Sequence, residues 1–460
     1  MTTFDTTAVQ RALRELPPDI VIVDPDVVIA YARDQSRFTD NALPDAVLVP
    51  RTTAEVSMCM AVAHRYSIPI VPRGAGSGLS GAANATPGCA VLSLHRMTAI
   101  KEVDVSNRLA VVEPGVVTAH LRDRVAQVGL FYPPDPGSVE FSTMGGNVAT
   151  NAGGMCCVKY GVTGDFVLGL EIVLADGKVM RVGRRTVKGV AGYDLTSLLV
   201  GSEGTLGIIT EITVALRPAP LPAQTLVASF ESLTSAGHAI QVIAASGITP
   251  SMLEILDGTT VRAVDRLTRM GLGDGTEALL LVQSDDGNAG DALASIEATC
   301  TAHGAVDVAV SSDSTEADML LQARRSALPA LERLGDWLLD DVAVPRSAVT
   351  DLMASVQTIA ARSALTIGVF GHAGDGNLHP TIIYDDSDPV SRAAALSAFD
   401  AITARALELG GTITGEHGVG RLKSNWLAVE QGPVTMAVHR AVKNALDPTG
   451  ILNPAAVLTL

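Results

Sequence analysis

The stretch Arg73-Gly-Ala-Gly-Ser-Gly-Leu-Ser-Gly-Ala-Ala83 decides how the first half of this chain is read. Gly76, Gly78 and Gly81 match the GxGxxG spacing of a dinucleotide fingerprint. In that fingerprint the last glycines open a helix whose N-terminus holds a pyrophosphate. Here Asn84, Thr86, Pro87 and Gly88 follow at once and leave no room for a helix. The first strand–helix–strand unit also precedes the loop instead of following it. What remains is a loop whose successive backbone N–H groups form an anion nest, with glycine needed because side chains would keep the backbone away from phosphate. A mobile surface turn is the alternative that the loop alone leaves open.

Working outward, Ala46–Val49 and Ile68–Val71 read as strands. Between them Thr53–Tyr66 reads as a helix, with Thr52 or Thr53 as N-cap and Glu55 in its first turn. A further strand is predicted at Ala90–Leu94 and a short helix over residues 8–16. From Pro133 to Gly164 the chain is so rich in Gly, Pro and Asn that no regular structure is expected, and loops of that length usually bind something. Strands resume at Leu168–Ala175, turn tightly at Asp176-Gly177 into Val179–Val182, and continue at Leu206–Leu216. Arg217-Pro-Ala-Pro-Leu-Pro222 reads as a linker. Beyond it, strands at Leu226–Phe230, Leu279–Val282 and Val306–Val310 alternate with helices near 232–246 and 291–303, the pattern of an α+β, ferredoxin-like antiparallel sheet. A helix near Ala317–Leu331, strands near Asp341–Val344 and Thr366–Phe370, a strand at Thr412–Thr414 and a helix at Trp426–Ala445 complete the pass.

Composition bounds the function. At 460 residues the chain exceeds one ordinary core. With 47% hydrophobic and 18% charged residues it is expected to fold. A net charge of −16 argues against nucleic acid and, less strongly, against anionic lipid. Cys59, Cys89, Cys156, Cys157 and Cys300 contain no CxxC pair, so they read as reduced thiols in a cytoplasmic protein. The N-terminus carries no secretory pattern and no apolar run suits a membrane helix, so only peripheral association at the inner face of the membrane stays open.

Further motifs accompany the glycine loop: PPDPGS at Pro133–Ser138, GGNVATNAGG at Gly145–Gly154, GYDL at Gly192–Leu195, GSEGTLGIIT at Gly201–Thr210 and LNP at Leu452–Pro454. In this order they resemble the FAD-linked oxidases of the vanillyl-alcohol-oxidase and p-cresol-methylhydroxylase (PCMH) type, over nearly the whole chain. The resemblance implies a PCMH-type FAD-binding domain of two α/β subdomains at 1–217. It implies a ferredoxin-like substrate-binding cap at 223–415, and a C-terminal helical segment at 416–460 that returns to the flavin. It further implies that Arg73, Gly74, Ala75, Gly76, Ser77, Gly78 and Leu79 hold the pyrophosphate. Pro134, Asp135 and Ser138 would lie near the flavin and its ribityl chain, and Gly145, Asn147, Thr150, Asn151 and Gly154 would line the same cleft. Glu203, Gly207 and Ile209 would sit near the adenine end, and Asn453 would reach back to the flavin. The pyrophosphate loop has no His or Cys, so FAD is expected to be noncovalent.

Three of the nine histidines fall in two glycine-rich strings, GHAGDGNLHP at Gly371–Pro380 and GEHGVG at Gly415–Gly420. Glycine and proline keep His372 and His379 off a helix, and two strand ends joined by a short loop can bring both imidazoles to one point. With Glu416 they make a plausible two-His, one-carboxylate site for a divalent metal. A lone histidine reads equally as a satisfied core group, and Asp375 with Asn377 equally as an Asx-turn.

Both strings resemble the FAD-dependent D-2-hydroxyacid dehydrogenases, a group with D-lactate dehydrogenases and the flavoprotein subunit of glycolate oxidase. The resemblance implies His372, His379 and Glu416 as ligands of Zn, Mn or Fe, His417 as the base and Arg324 as the clamp for a substrate carboxylate. It also implies hydride transfer to flavin N5 and an acceptor such as a quinone, a cytochrome or an electron-transfer flavoprotein, in a homodimer. No cation lies between Arg333 and Arg346, where relatives acting on dicarboxylates place a lysine, so a 2-hydroxy monocarboxylate such as D-lactate or glycolate is expected. Rival readings are a D-2-hydroxyglutarate dehydrogenase, a non-catalytic flavoprotein subunit of a glycolate-oxidase-like complex, a reductase on the same scaffold, and NAD(P) dependence.

Overall fold

The computed structural model describes residues 14–272, 275–311 and 313–458, together with Val9 and Ala12. The helix expected over residues 8–16 falls partly outside them; Val9, Ala12, Arg14 and Glu15 are helical. Two compact units emerge. One comprises Met1–Gly153, Val162–Ala219 and Glu416–Leu460, the other Gly154–Gly161 and Pro220–Gly415.

The first unit holds β1 (Val21–Ile22), β2 (Ala46–Leu48), β3 (Ile70–Arg73) and β4 (Ala90–Ser93) in the order β1-β2-β4-β3. β4 pairs parallel with β2 and β3, and β1 pairs antiparallel with β2. The crossover from β2 to β3 is the helix Thr53–Tyr66. Thr52 caps it by accepting the Glu55 amide, and Glu55 in turn accepts the Arg51 amide at 2.6 Å. Then come β5 (Ile100–Asp104), β6 (Leu109–Val112), β7 (Leu130–Phe131), β8 (Val167–Val173), β9 (Val179–Gly183), β10 (Ile208–Ala215) and β11 (Arg217–Pro218). Five of these form an antiparallel sheet, β5-β6-β10-β8-β9. Val56, Cys59 and Met60 of the helix pack in one core with Ile70 and Leu92, with Val173 and Ile208 of the second sheet, and with Ile451 and Leu452 of the tail. Burying that apolar face is what holds the two sheets together.

The second unit is built on β12 (Gln224–Phe230), β13 (Met252–Asp257), β14 (Ala278–Ser284), β15 (Ala305–Val310), β16 (Asp336–Leu339), β17 (Val342–Ala343), β18 (Thr366–His372) and β19 (Asn377–Tyr384). The sheet runs β15-β12-β14-β13-β18-β19-β16, with β17 also on β19, and its pairings are antiparallel. Among the described residues no helix is long and apolar enough to cross a membrane.

Four local expectations give way. Met144–Thr150 is a helix inside the supposedly irregular stretch. Its glycines serve close packing, since a Cβ on Gly145 would stand 2.5 Å from the Pro114 ring, and Asn151 ends it in the left-handed region at φ 52°. Arg217–Pro218, read as linker, pairs as β11 with β7, an edge pairing that tolerates proline. The single helix expected at 317–331 is two, Ser314–Arg325 and Ala327–Glu332, because Pro329 has no N–H to offer the Arg325 carbonyl. Thr412–Thr414 is no strand; between glycines, only Thr412 bridges to Ala343.

Candidate active site

In the first unit, β3 ends at Arg73 and the chain enters the glycine loop. Residues Gly74–Leu79 have no helix or strand geometry, as the prolyl and glycyl residues after them dictate. None of their amides donates to a backbone carbonyl; Gly78 O accepts from Gln35 N at 2.9 Å. Gly76 is left-handed at φ 73°, and a Cβ there would lie 2.0 Å from Arg73 Nη2. The Arg73 guanidinium is folded beneath the loop; burial pulls its pKa down and Asp34 opposes the shift. A Cβ on Gly74 would meet Thr143 Oγ1, a buried oxygen without a hydrogen-bond partner.

Asn453 reaches this loop from the tail. Its Nδ2 donates to Ala82 O and to Glu203 O, at 3.0 and 2.8 Å, while Oδ1 is buried without a partner. Successive available amides with the Thr143 hydroxyl beside them fit a diphosphate, while the buried Asn453 Oδ1 can only accept and suits a donor group.

The other residues of the expected cofactor set do more local work. Asn147 Nδ2 donates to Thr118 Oγ1 at 2.7 Å, Thr150 Oγ1 to Gly146 O, and Asn151 Oδ1 accepts Gly164 N. Asp135 is buried, and Ser138 O accepts the amides of Phe141 and Ser142. Gly207 packs on Ile172, and Ile209 is a buried residue of β10. Gly154 falls in the segment assigned to the second unit. Glu203 accepts the amides of Val419 and Gly420, and Ser80 Oγ donates to the His417 carbonyl at 3.1 Å. The His417 segment is thereby tied to the end of the glycine loop. Within it His417 Nε2 stands 3.7 Å from Glu416 Oε1.

In the second unit, β18 and β19 are antiparallel neighbours, with Phe370 opposite His379 and His372 opposite Asn377. His372 and His379 are therefore a diagonal pair on one face. Their Nε2 atoms are 3.3 Å apart. Two imidazole nitrogens on one tetrahedral zinc would stand about 3.4 Å apart, given bonds of about 2.1 Å, so the pair fits a metal. The connecting turn is an Asx-turn, Asn377 N donating to Asp375 Oδ1.

Two carboxylates missed by sequence reasoning organise this pair. Glu254 Oε1 takes His372 Nδ1 at 2.7 Å, and Glu254 Oε2 takes Arg324 Nε at 2.5 Å. Burial alone would raise the Glu254 pKa, but His372 and Arg324 together hold it below the usual carboxylate value. Asp341 Oδ1 lies 3.6 Å from His379 Nδ1 and accepts Asn377 Nδ2, while its Oδ2 accepts Thr414 Oγ1 and Gly415 N at 2.6 and 2.9 Å. Arg324 is buried, its guanidinium 4.8 Å from the Phe370 ring centre, whereas Arg325 is half exposed beside Asp318. The one available signal for Glu254 was a lone charge inside the apolar run Met252–Leu256.

A glycine loop with available amides at one sheet edge and a buried arginine–carboxylate–histidine relay are two chemistry-bearing features of the chain. Residues 44–183 match the FAD binding domain family and residues 219–457 the C-terminal domain of FAD linked oxidases. The chain belongs to the FAD-linked oxidase family and is an FAD-dependent oxidoreductase. It is 44% identical to glycolate oxidase subunit GlcD of Bacillus subtilis, over 90% of this chain and 88% of that protein. It is 34% identical to a D-lactate dehydrogenase of Anaerostipes hadrus, over 96% of each. Its fold is shared with 4-ethylphenol oxidase from Gulosibacter chungangensis (TM-score 0.82, 18% identity, 99% of this chain and 98% of that one). It is also shared with p-cresol methylhydroxylase (TM-score 0.81, 18% identity, 100% and 98%). The PCMH-type resemblance read from the motifs thus holds at the level of fold.

Proposed function

We propose that this protein oxidises a small D-2-hydroxy monocarboxylate, D-lactate or glycolate, to the 2-keto acid. The observation that carries the reading is the buried Arg324–Glu254–His372–His379 relay, which offers a guanidinium for a carboxylate beside imidazoles for a hydroxyl. The names of its relatives, glycolate oxidase subunit and D-lactate dehydrogenase, support the same substrate class.

In this reading Arg324 orients the substrate through its carboxylate. His417, whose ordinary pKa of about 6.5 suits neutral pH, takes the hydroxyl proton. Bound FAD supplies the hydride acceptor at N5. His372, His379 and Glu416 would hold a divalent Zn, Mn or Fe ion, which supplies a lowered hydroxyl pKa. Glu416 follows Gly415, whose amide is fixed by Asp341 beside His379. The electron acceptor would be a quinone, a cytochrome or an electron-transfer flavoprotein.

A monocarboxylate is favoured over a dicarboxylate because the chain from Asp336 to Pro345 carries the buried acids Asp340 and Asp341 and no cation. Anaerobic mixing of the yellow holoprotein with each acid tests the reading. D-lactate or glycolate should bleach the flavin within seconds and D-2-hydroxyglutarate far more slowly. Faster bleaching by D-2-hydroxyglutarate would overturn the substrate choice, and no bleaching by any of the three would overturn the activity.

A further inference from the structure

We infer that Glu254 is a positioning residue that couples the substrate-carboxylate clamp to the His372–His379 pair and dictates how the clamp is used. The inference rests on the reading of Arg324 given above and adds to it.

Glu254 lies in the middle of β13, a strand buried along its whole length, and its side chain has no solvent exposure. A charge there is costly unless every oxygen is engaged. Each oxygen has its own partner: Oε2 the Arg324 Nε–H, Oε1 the His372 Nδ1. A carboxylate only accepts, so His372 presents N–H at Nδ1, and in the neutral ring the lone pair is then on Nε2, 3.3 Å from His379 Nε2. One buried acid thereby sets the tautomer of an imidazole and the rotamer of a guanidinium.

The second consequence concerns binding geometry. Arginine grips a carboxylate with two N–H groups, either Nε and one Nη or the two Nη atoms end-on. Glu254 already occupies Nε, and Phe370 covers a face of the guanidinium. A substrate carboxylate is left the end-on Nη1/Nη2 edge. That edge is one bidentate site, so with Nε taken by Glu254 the clamp has a donor pair for one carboxylate and none for a second.

A double-mutant cycle on the holoprotein tests this, with oxalate as the probe and perturbation of the flavin spectrum as the readout. Glu254→Gln keeps the shape, but its amide can accept only one of the two donors. We expect oxalate affinity to fall about tenfold in Glu254→Gln. It should fall at least as far in Arg324→Ala, with no further fall in the double variant. The Glu254→Gln change should also raise KM for glycolate or D-lactate more than it lowers kcat, and reduce retention of added Mn or Zn. Glu254→Asp, which keeps both acceptors at shorter reach, should recover part of each loss; it also carries the cycle if Glu254→Gln is recovered without FAD. Additive losses in the double variant would overturn the coupling while leaving Arg324 as the clamp. An Arg324→Ala protein that binds oxalate as well as wild type would overturn the clamp itself.

Discussion

The carboxylate of Glu203 receives the Gly420 amide at 2.9 Å, and the adjacent Val419 amide at 2.8 Å. Glu203 is fully enclosed, and burial pushes its pKa up to about 7 although the two amides pull the other way. The folded value exceeds the ordinary 4.5, so the folded chain binds the proton more tightly than the unfolded one. The contribution is present in full below about pH 4.5 and lost as pH rises through about 7, worth about 3 kcal/mol across that window. We expect the melting temperature of the holoprotein to fall between pH 5 and 8, and Glu203→Gln to flatten that fall. Calorimetry across the range checks it; an unchanged slope in the variant would assign the effect to other groups.

The His372–His379 pair makes a separate claim about metal. With Glu254 holding His372 Nδ1, the two Nε2 atoms stand 3.3 Å apart. Purified protein is expected to carry about one divalent ion per chain after incubation with Zn or Mn. His379→Ala should lower metal affinity by about one hundredfold, since imidazole supplies one of few ligands. Elemental analysis of gel-filtered protein measures this directly. Equal metal content in wild type and variant would remove His379 from the ligand set.

Gly76→Ala should act on the cofactor rather than on the fold. The residue is left-handed, and its added methyl would press on Arg73 at the base of the glycine loop. The strain is about 1 kcal/mol, but the displaced loop loses its aligned amides. We expect the FAD-to-protein ratio after gel filtration to drop about tenfold while the far-ultraviolet circular dichroism stays the same. Full flavin retention would show that the loop does not grip the diphosphate.

The glycine loop was legible because composition alone forbids a helix after Gly81, and irregular backbone followed. The histidine pair was legible because glycine and proline confine it to strand ends. Glu254 was not: one charge in an apolar strand reads as a solvent-facing residue, and only the burial of every residue of β13 reveals both faces as covered. The helix Met144–Thr150 was hidden by its own glycines, whose low helix propensity is overridden by close packing on Pro114. Asp341 reads from sequence only as the start of a strand near Asp341–Val344, and nothing in the run shows that it and Asp340 are buried and bonded.

Lys443 makes the last case, since a lysine in the helical run His439–Leu446 reads as a surface charge yet is enclosed. Its ammonium donates to Asp447 Oδ2 and Leu452 O at 2.6 Å and to Thr205 O at 2.8 Å. Burial pulls its pKa down and Asp447 resists. Asp447 also accepts the amides of Ile451 and Leu452, so one ion pair fixes the turn that delivers Asn453 to the glycine loop. Lys443→Met removes three donors and leaves a buried carboxylate with only neutral donors, the Ile451 and Leu452 amides and the Thr449 hydroxyl, a cost of about 3–5 kcal/mol. The expected result is a lowered melting temperature together with faster FAD release, because Asn453 links the tail to the glycine loop proposed to hold the cofactor. Lys443→Met with Asp447→Asn should recover part of the melting temperature, since the uncompensated charge is gone. If Lys443→Met melts lower but releases FAD at the wild-type rate, the tail contributes to stability without contributing to the cofactor site.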